Sequence, residues 1–256
     1  MIKLVLTTLT LIALTTMSTV NYSTKETKQT TKKDSAETGF AVVELFTSQG
    51  CSSCPPADEI LRGLTQKDNV FPLSFHVTYW NRLGWKDSFS QAIFDERQYA
   101  YGARFALNGV YTPQAVINGK VEMVGSRDKQ IRETLAKNLS VVSPFSITLT
   151  KGVKDKTLII NYKINKPAQL YDLNVALVES NIATYVQRGE NKGQTLRHDN
   201  VVKYFKTIKM DQNTCLPDRQ AEGVVALPFL LREKQSCIVY LQEKNLGQIV
   251  AAARVK

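Results

Sequence analysis

Cys51 and Cys54 stand three apart, separated by Ser52 and Ser53 and followed at once by Pro55 and Pro56. A pair at this spacing can close a small disulfide ring, supply half of a zinc site, or cycle between dithiol and disulfide. The apolar run Ala41-Val42-Val43-Glu44-Leu45-Phe46 lies just before it. The order predicts a strand, a tight turn and a helix that opens on the dithiol. Unpaired N–H groups at a helix start favour a thiolate, and the thiolate is the reactive form. Zinc needs about four ligands, and no second Cys-x-x-Cys pair is present. Cys215, Cys237, His76 and His198 would have to converge from distant parts of the chain. The pattern therefore favours redox chemistry, with Cys51 attacking from the exposed helix tip and Cys54, one turn in, resolving the mixed disulfide. Asp58 and Glu59 follow within two turns, and their charge offsets the helix dipole. This predicts a couple on the reducing or isomerising side.

The elements that position this pair are legible in the spacing of apolar residues. Residues 40–46 predict a strand. Residues 57–64 predict a helix through Ile60, Leu61 and Leu64, with both prolines in a first turn where the missing N–H groups cost nothing. Residues 70–78 predict a second buried strand, completing a βαβ unit. Both tryptophans fall in the irregular segment 79–87, and residues 89–107 predict one or two helices. Asn118-Gly119 between apolar runs predicts a hairpin. Ser126 is placed to cap a helix carrying Ile131, Leu135 and Leu139 on one face. From Pro144 the pattern becomes apolar alternation, with strands expected at 145–149, 157–164, 173–178, 201–205, 224–230, 238–241 and 249–255. Short strands at that spacing argue for an antiparallel sandwich.

The element order over residues 39–140 resembles the thioredoxin fold. More closely, residues 44–58 (ELFTSQGCSSCPPAD) and 76–87 (HVTYWNRLGWKD) resemble an exported bacterial thioredoxin-like family of unknown function, the secreted Cys-Ser-Ser-Cys-Pro-Pro proteins. Residues 189–202 resemble the second half of that family. An aspartate is common there where Thr78 and Asn81 stand here, so no role for acids at those positions carries over. The resemblance implies a thioredoxin-like α/β domain with a helical insertion, followed by an all-β, sandwich-like domain. It also implies a cis peptide at Thr112-Pro113 opposite the dithiol, presenting residue 112 to an extended substrate. Glu44 would occupy nearly the place of a buried acid that handles the resolving cysteine's proton. Strand ends approach the dithiol in that fold, so copper held by Cys51, Cys54 and His76 is the metal alternative. Otherwise His76 reads as a hydrogen-bonded core group and His198 as a surface residue.

The first residues place this chemistry outside the cytoplasm. Lys3 precedes an apolar stretch of signal-peptide length, so residues 1–20 predict an export signal or an uncleaved anchor, and the polar residues 21–38 predict a disordered spacer. The expected location is periplasmic or secreted, with membrane or envelope association through the N-terminus. Disulfides persist there, and Cys215 with Cys237 is expected as a structural bridge. The 33 lysines and arginines against 23 acids give a net charge of +10. They are scattered rather than interleaved with aromatics, which excludes nucleic acid as a partner and suits anionic envelope polymers. No nucleophile elbow, phosphate loop, dinucleotide fingerprint or His-Glu-x-x-His helix is present. The sequence thus predicts thiol–disulfide exchange with protein thiols or disulfides, or with small thiols, and no cofactor beyond the redox-active disulfide. The alternative is a non-enzymatic copper-binding or interaction module.

Overall fold

The computed structural model describes residues 39–210 and 220–256. The expected export segment, the polar spacer and Cys215 lie outside the described residues. Strand β1 (Ala41–Thr47) is buried along its whole length, its apolar residues together with Glu44 and Thr47. Helix α1 (Pro55–Leu64) carries the two prolines in its first two positions and buries Ala57, Asp58, Leu61 and Leu64. Strand β2 (Val70–His76) pairs parallel with β1, from Ala41 opposite Val70 to Thr47 opposite His76. A 3-10 turn at Asn81–Leu83 leads to a single helix, α2 (Ala92–Arg104). Strands β3 (Gln114–Ile117) and β4 (Val121–Val124) form the expected hairpin, and β3 runs antiparallel to β1. Helix α3 (Asp128–Leu139) buries Ile131 and Leu135, but Arg127 rather than Ser126 precedes it and no side chain caps it.

The second half adds β5 (Ile147–Lys154), β6 (Thr157–Ile164), β7 (Tyr171–Glu179), β8 (Ile182–Tyr185), β9 (Thr195–His198), β10 (Val201–Lys209), β11 (Ala221–Leu227), β12 (Gln235–Glu243) and β13 (Ile249–Val255). Three sheets result. Eight strands form one mixed sheet in the order β13-β12-β7-β10-β2-β1-β3-β4, three form β11-β6-β5, and β8 pairs with β9 alone. No helix among the described residues is long and apolar enough to cross a membrane.

This architecture corrects the expected fold class. Among the described residues the chain is mostly β, with thirteen strands and three α-helices, and not a thioredoxin-like α/β domain with a helical insertion followed by a separate all-β domain. The expected boundary at 140/141 separates neither sheets nor cores. Strand β10 joins the free edge of β2 where Val201 meets Ser74, and the Ser74 N–H donates to the Asn200 carbonyl at 2.9 Å. One apolar cluster takes Val42, Phe46, Leu73 and Phe75 from the first half and Ala176, Val178, Ile238 and Tyr240 from the second. Local periodicity predicts strands but not which distant edge they complete, and that pairing decides the fold here. On the opposite face of the first-half strands, Val43 and Leu45 pack with Ala57 and Leu61 of α1 and Ile131 and Leu135 of α3. The three-stranded sheet covers the other face of β7 and β12 through Ile160, Tyr162, Val175 and Val239.

Candidate functional site

Cys51 and Cys54 are joined in a disulfide with their Cα atoms 5.4 Å apart. Both are completely buried, so Cys51 is not the exposed member that the sequence suggests. The helix start differs from expectation as well. Pro55 and Pro56 have no N–H, and the N–H groups of Ala57 and Asp58 both donate to the Cys54 carbonyl, at 2.9 and 3.1 Å. No unpaired N–H of this first turn is left to face a sulfur. The Ser53 hydroxyl lies 3.3 Å from Cys51 Sγ and 3.5 Å from the Thr112 carbonyl oxygen. The Thr112-Pro113 peptide is cis. Gly125 lets Pro113 close on α1, since a Cβ there would lie 2.6 Å from Leu45 Cδ1 and 3.3 Å from both Ala57 and Pro113.

Glu44 lies elsewhere. Alternation along β1 sends Val43 and Leu45 toward α1 and sends Val42, Glu44 and Phe46 toward α2. There its carboxylate pairs with Arg97 at 2.7 Å and accepts from the hydroxyls of Tyr101 and, at 2.7 Å, Tyr240. Arg97 also donates to Gln242 at 2.9 Å. Burial works against the Arg97 charge, but the Glu44 carboxylate holds the guanidinium firmly protonated. Burial and the same carboxylate raise the Tyr101 and Tyr240 hydroxyls well above the ordinary tyrosine range. The sheet stands between this network and α1, so the proton-handling role expected for Glu44 has no geometry behind it.

The acid on the dithiol side is Asp58. Its N–H donates to the Cys54 carbonyl, so it follows Cys54 by one helical turn on the same face, and it is buried. Burial pushes its carboxyl up to about 7, against the pull of His76 and the Thr47 hydroxyl and with a smaller push from Asp87. His198 Nδ1 lies 3.5 Å from Asp58 Oδ2, and the His76 and His198 rings meet edge to face at 4.8 Å. His76 Nδ1–H donates to the Asp87 carboxylate at Oδ2, 2.7 Å away, as a core histidine should. His198 corrects the surface reading: it is buried, and burial together with His76 drives its imidazole down to about 3, with Asp87 opposing. His76 Nε2 and both His198 ring nitrogens have no hydrogen-bond partner. Asp87 is buried, which raises its carboxyl, but His76 and the N–H groups of Gln49 and Phe89 hold it below the usual range.

The segment 79–87 and the loop between β8 and β9 complete the site. Trp80 Nε1 donates to the Thr112 hydroxyl at 2.8 Å, and Trp85 Nε1 donates to Gln49 Oε1 at 3.0 Å. Gln49 Nε2 reaches Thr184 of β8 at 3.2 Å. Asn191 Nδ2 donates to the carbonyls of Gln49 and Cys51, both at 2.9 Å, and Glu190 Oε2 accepts from the Ser52 N–H at 3.0 Å. Sequence reasoning gave no role to Gln49, Asp87, Glu190 and Asn191, although all four lie in the segments 44–58, 76–87 and 189–202 that carry the family resemblance. Asp58 did leave a signal, because Cys54, Ala57, Asp58, Leu61 and Leu64 repeat at helical spacing. Cys237 is a free, buried thiol on β12 whose burial raises it to about 12, and its expected partner Cys215 lies outside the described residues. Among the described residues no group of three or more His, Cys, Asp and Glu side chains is arranged to hold a metal ion.

A protein of Agrobacterium tumefaciens, solved by X-ray crystallography, is 32% identical to this chain, with a TM-score of 0.64 over 84% of this chain and 93% of its own. HBP35 of Porphyromonas gingivalis is similar with a TM-score of 0.61 at 15% identity, covering 86% of this chain and 76% of that one. At that identity the likeness is one of fold alone. No curated protein matches the chain. The profile of a family described as proteins of unknown function, DUF1223, matches residues 42–242. The chain belongs to the DUF1223 family.

Proposed function

We propose that Cys51 and Cys54 are the redox centre of a thiol–disulfide oxidoreductase acting on protein or small-thiol partners. The observation that carries this reading is a buried disulfide closing directly ahead of α1, with a buried, proton-retaining carboxyl one turn behind Cys54. In the reduced protein the Cys51 thiolate attacks a partner disulfide, forming a mixed disulfide and releasing one partner thiolate. The Ser53 hydroxyl, already 3.3 Å from that sulfur, donates to the thiolate. Asp58 takes the Cys54 proton, and Cys54 attacks Cys51 Sγ, which restores the 51–54 disulfide and releases the second partner thiolate. Two electrons pass from the dithiol to the partner. A carboxyl poised at about 7 suits such a transfer near neutral pH. With no unpaired N–H at the helix start and the Glu190 carboxylate on the Ser52 N–H, the couple sits on the reducing or isomerising side. The reading includes an oxidising compartment, which follows from the export signal expected in residues 1–20.

The test is mass-resolved thiol labelling of the full chain across a glutathione redox titration, together with Cys51→Ser and Cys54→Ser. Exchange predicts a reversible two-electron couple, and covalent partners trapped by Cys54→Ser but not by Cys51→Ser. A pair that stays oxidised across the whole titration would remove the reading.

A further inference from the structure

Neither sulfur of the disulfide has accessible surface, although Ser52 and Ser53 between them are exposed. Residues 186–194 are bonded to three points in succession along the dithiol turn. The Asn191 side-chain amide holds the carbonyls of Gln49 and Cys51, and the Glu190 carboxylate holds the N–H of Ser52. Asn191 is buried for this purpose while Glu190 stays exposed. The loop is folded on itself, with the Val186 N–H donating to the Gln194 carbonyl at 2.9 Å and the Gly193 N–H to the Val186 carbonyl at 2.8 Å. It turns at Gly189, whose φ of 78° only glycine adopts without strain and which sits against Trp85. Its sheet support among the described residues is the hairpin of β8 and β9, four residues each, which pairs with no other described strand but packs against α1 and buries Leu196 and His198. The hairpin is anchored on α1 and by Gln49 on Thr184, and the stretch between its strands is tied to the dithiol turn by the Asn191 and Glu190 bonds.

We propose that residues 186–194 are a displaceable strap that determines which partners reach the Cys51–Cys54 pair, with Asn191 as its latch. Exchange then occurs only with the strap lifted, and a partner able to engage the freed carbonyls of Gln49 and Cys51 and the Ser52 N–H gains access that a non-bonding reagent lacks. The proposal rests on the exchange reading above. Its test does not, because it reads how fast the existing disulfide can be opened.

The oxidised full chain is mixed with excess dithiothreitol at pH 8, quenched with an alkylating reagent at intervals, and analysed by mass. A reagent thiolate attacks Cys51 Sγ and Cys54 leaves as thiolate. The second reagent thiol then closes its own ring and releases Cys51, so two electrons enter the protein and the reagent ends as a cyclic disulfide. Asn191→Ala removes two buried hydrogen bonds and should speed reduction about 10- to 100-fold. Asn191→Asp, of equal size but without the donor, should also speed it. Folding of each oxidised variant is checked by urea unfolding. Folded Asn191 variants reduced at the wild-type rate would overturn the strap. If they do not fold, the exposed Glu190→Ala, which removes the acceptor of the Ser52 N–H, decides the matter with Glu190→Gln as the charge control: reduction about two- to tenfold faster in the alanine variant than in the glutamine variant supports the strap, and equal rates remove it. Faster reduction of the strap variants without any reversible couple or trapped partner would sink the exchange reading and leave the strap standing.

Discussion

Asp58 and His198, 3.5 Å apart and both buried, respond to pH with opposite sign. The Asp58 carboxyl rises from 3.8 to about 7 on folding because burial penalises its charge. The folded protein therefore binds this proton more tightly than the unfolded chain does. The stability it contributes is complete below about pH 4 and is lost as pH rises toward 7. His198 falls from 6.5 to about 3, so the folded protein binds that proton less tightly, and stability is gained as pH rises from about 3 to 6.5. Between about pH 4 and 6.5 the two slopes oppose each other. Asp58→Asn removes the falling limb, so its stability relative to wild type should increase by on the order of 3 kcal/mol between pH 4 and 8. Urea unfolding at a series of pH values measures this, and a difference that stays flat would show that Asp58 is ionised in the folded protein throughout. Sequence reading placed Asp58 in the right helix but treated it with Glu59 as one diffuse charge. The two differ entirely in the fold, since Asp58 continues the buried stripe from Cys54 whereas Glu59 is exposed and paired with Arg62.

Elements decide which side of a sheet a side chain serves, and Glu44 is the instructive case. The alternation of β1 was readable from Val42 to Phe46, but the partners on each face were not. Those on the Glu44 side come from α2 and from β12, far along the chain. Spacing located β1, α1, β2 and the β3–β4 hairpin because each has a local signature. It missed β8 and β9 because these four-residue strands, unlike the equally short β3 and β4 joined by Asn118-Gly119, have no tight-turn signature between them. The Glu44–Arg97–Tyr240 network ties three elements together, and its energetics follow from burial. Glu44→Gln leaves the Arg97 guanidinium buried without its counter-charge and should cost about 3–5 kcal/mol in unfolding free energy. Glu44→Leu combined with Arg97→Met should recover much of that loss, since the uncompensated charge is gone. Neither change should alter the rate at which dithiothreitol opens the 51–54 disulfide, because the sheet separates the two sites. A slowed reduction in folded Glu44→Gln would return Glu44 to the redox machinery.

At the scale of the whole molecule, the shared cluster of Phe46, Phe75, Ala176, Val178 and Tyr240 determines whether the dithiol half can exist alone. Cut at the expected boundary, residues 39–140 would expose the β2 edge that β10 completes, and the face of β1 and β2 that packs against the second half. Glu44 and Arg97 would lose Tyr240 and Gln242. Asn191 and Glu190 would be gone from the dithiol turn. Apolar area lost at about 25 cal/mol per Å² over several large side chains exceeds the few kcal/mol of net stability an ordinary domain holds. A fragment of residues 39–140 should therefore unfold without a cooperative transition, whereas residues 39–256 should lose far-UV dichroism and the fluorescence of Trp80 and Trp85 at one common urea concentration. Both tryptophans lie in the first half, so their signal reports that half while dichroism, dominated by the many strands, reports both. Two separated midpoints in the longer chain, or a cooperative fragment, would mean that the halves are independent and that the common sheet is only a contact between finished domains. Coincident midpoints would make the redox pair, its proton acceptor and its strap parts of one folding unit.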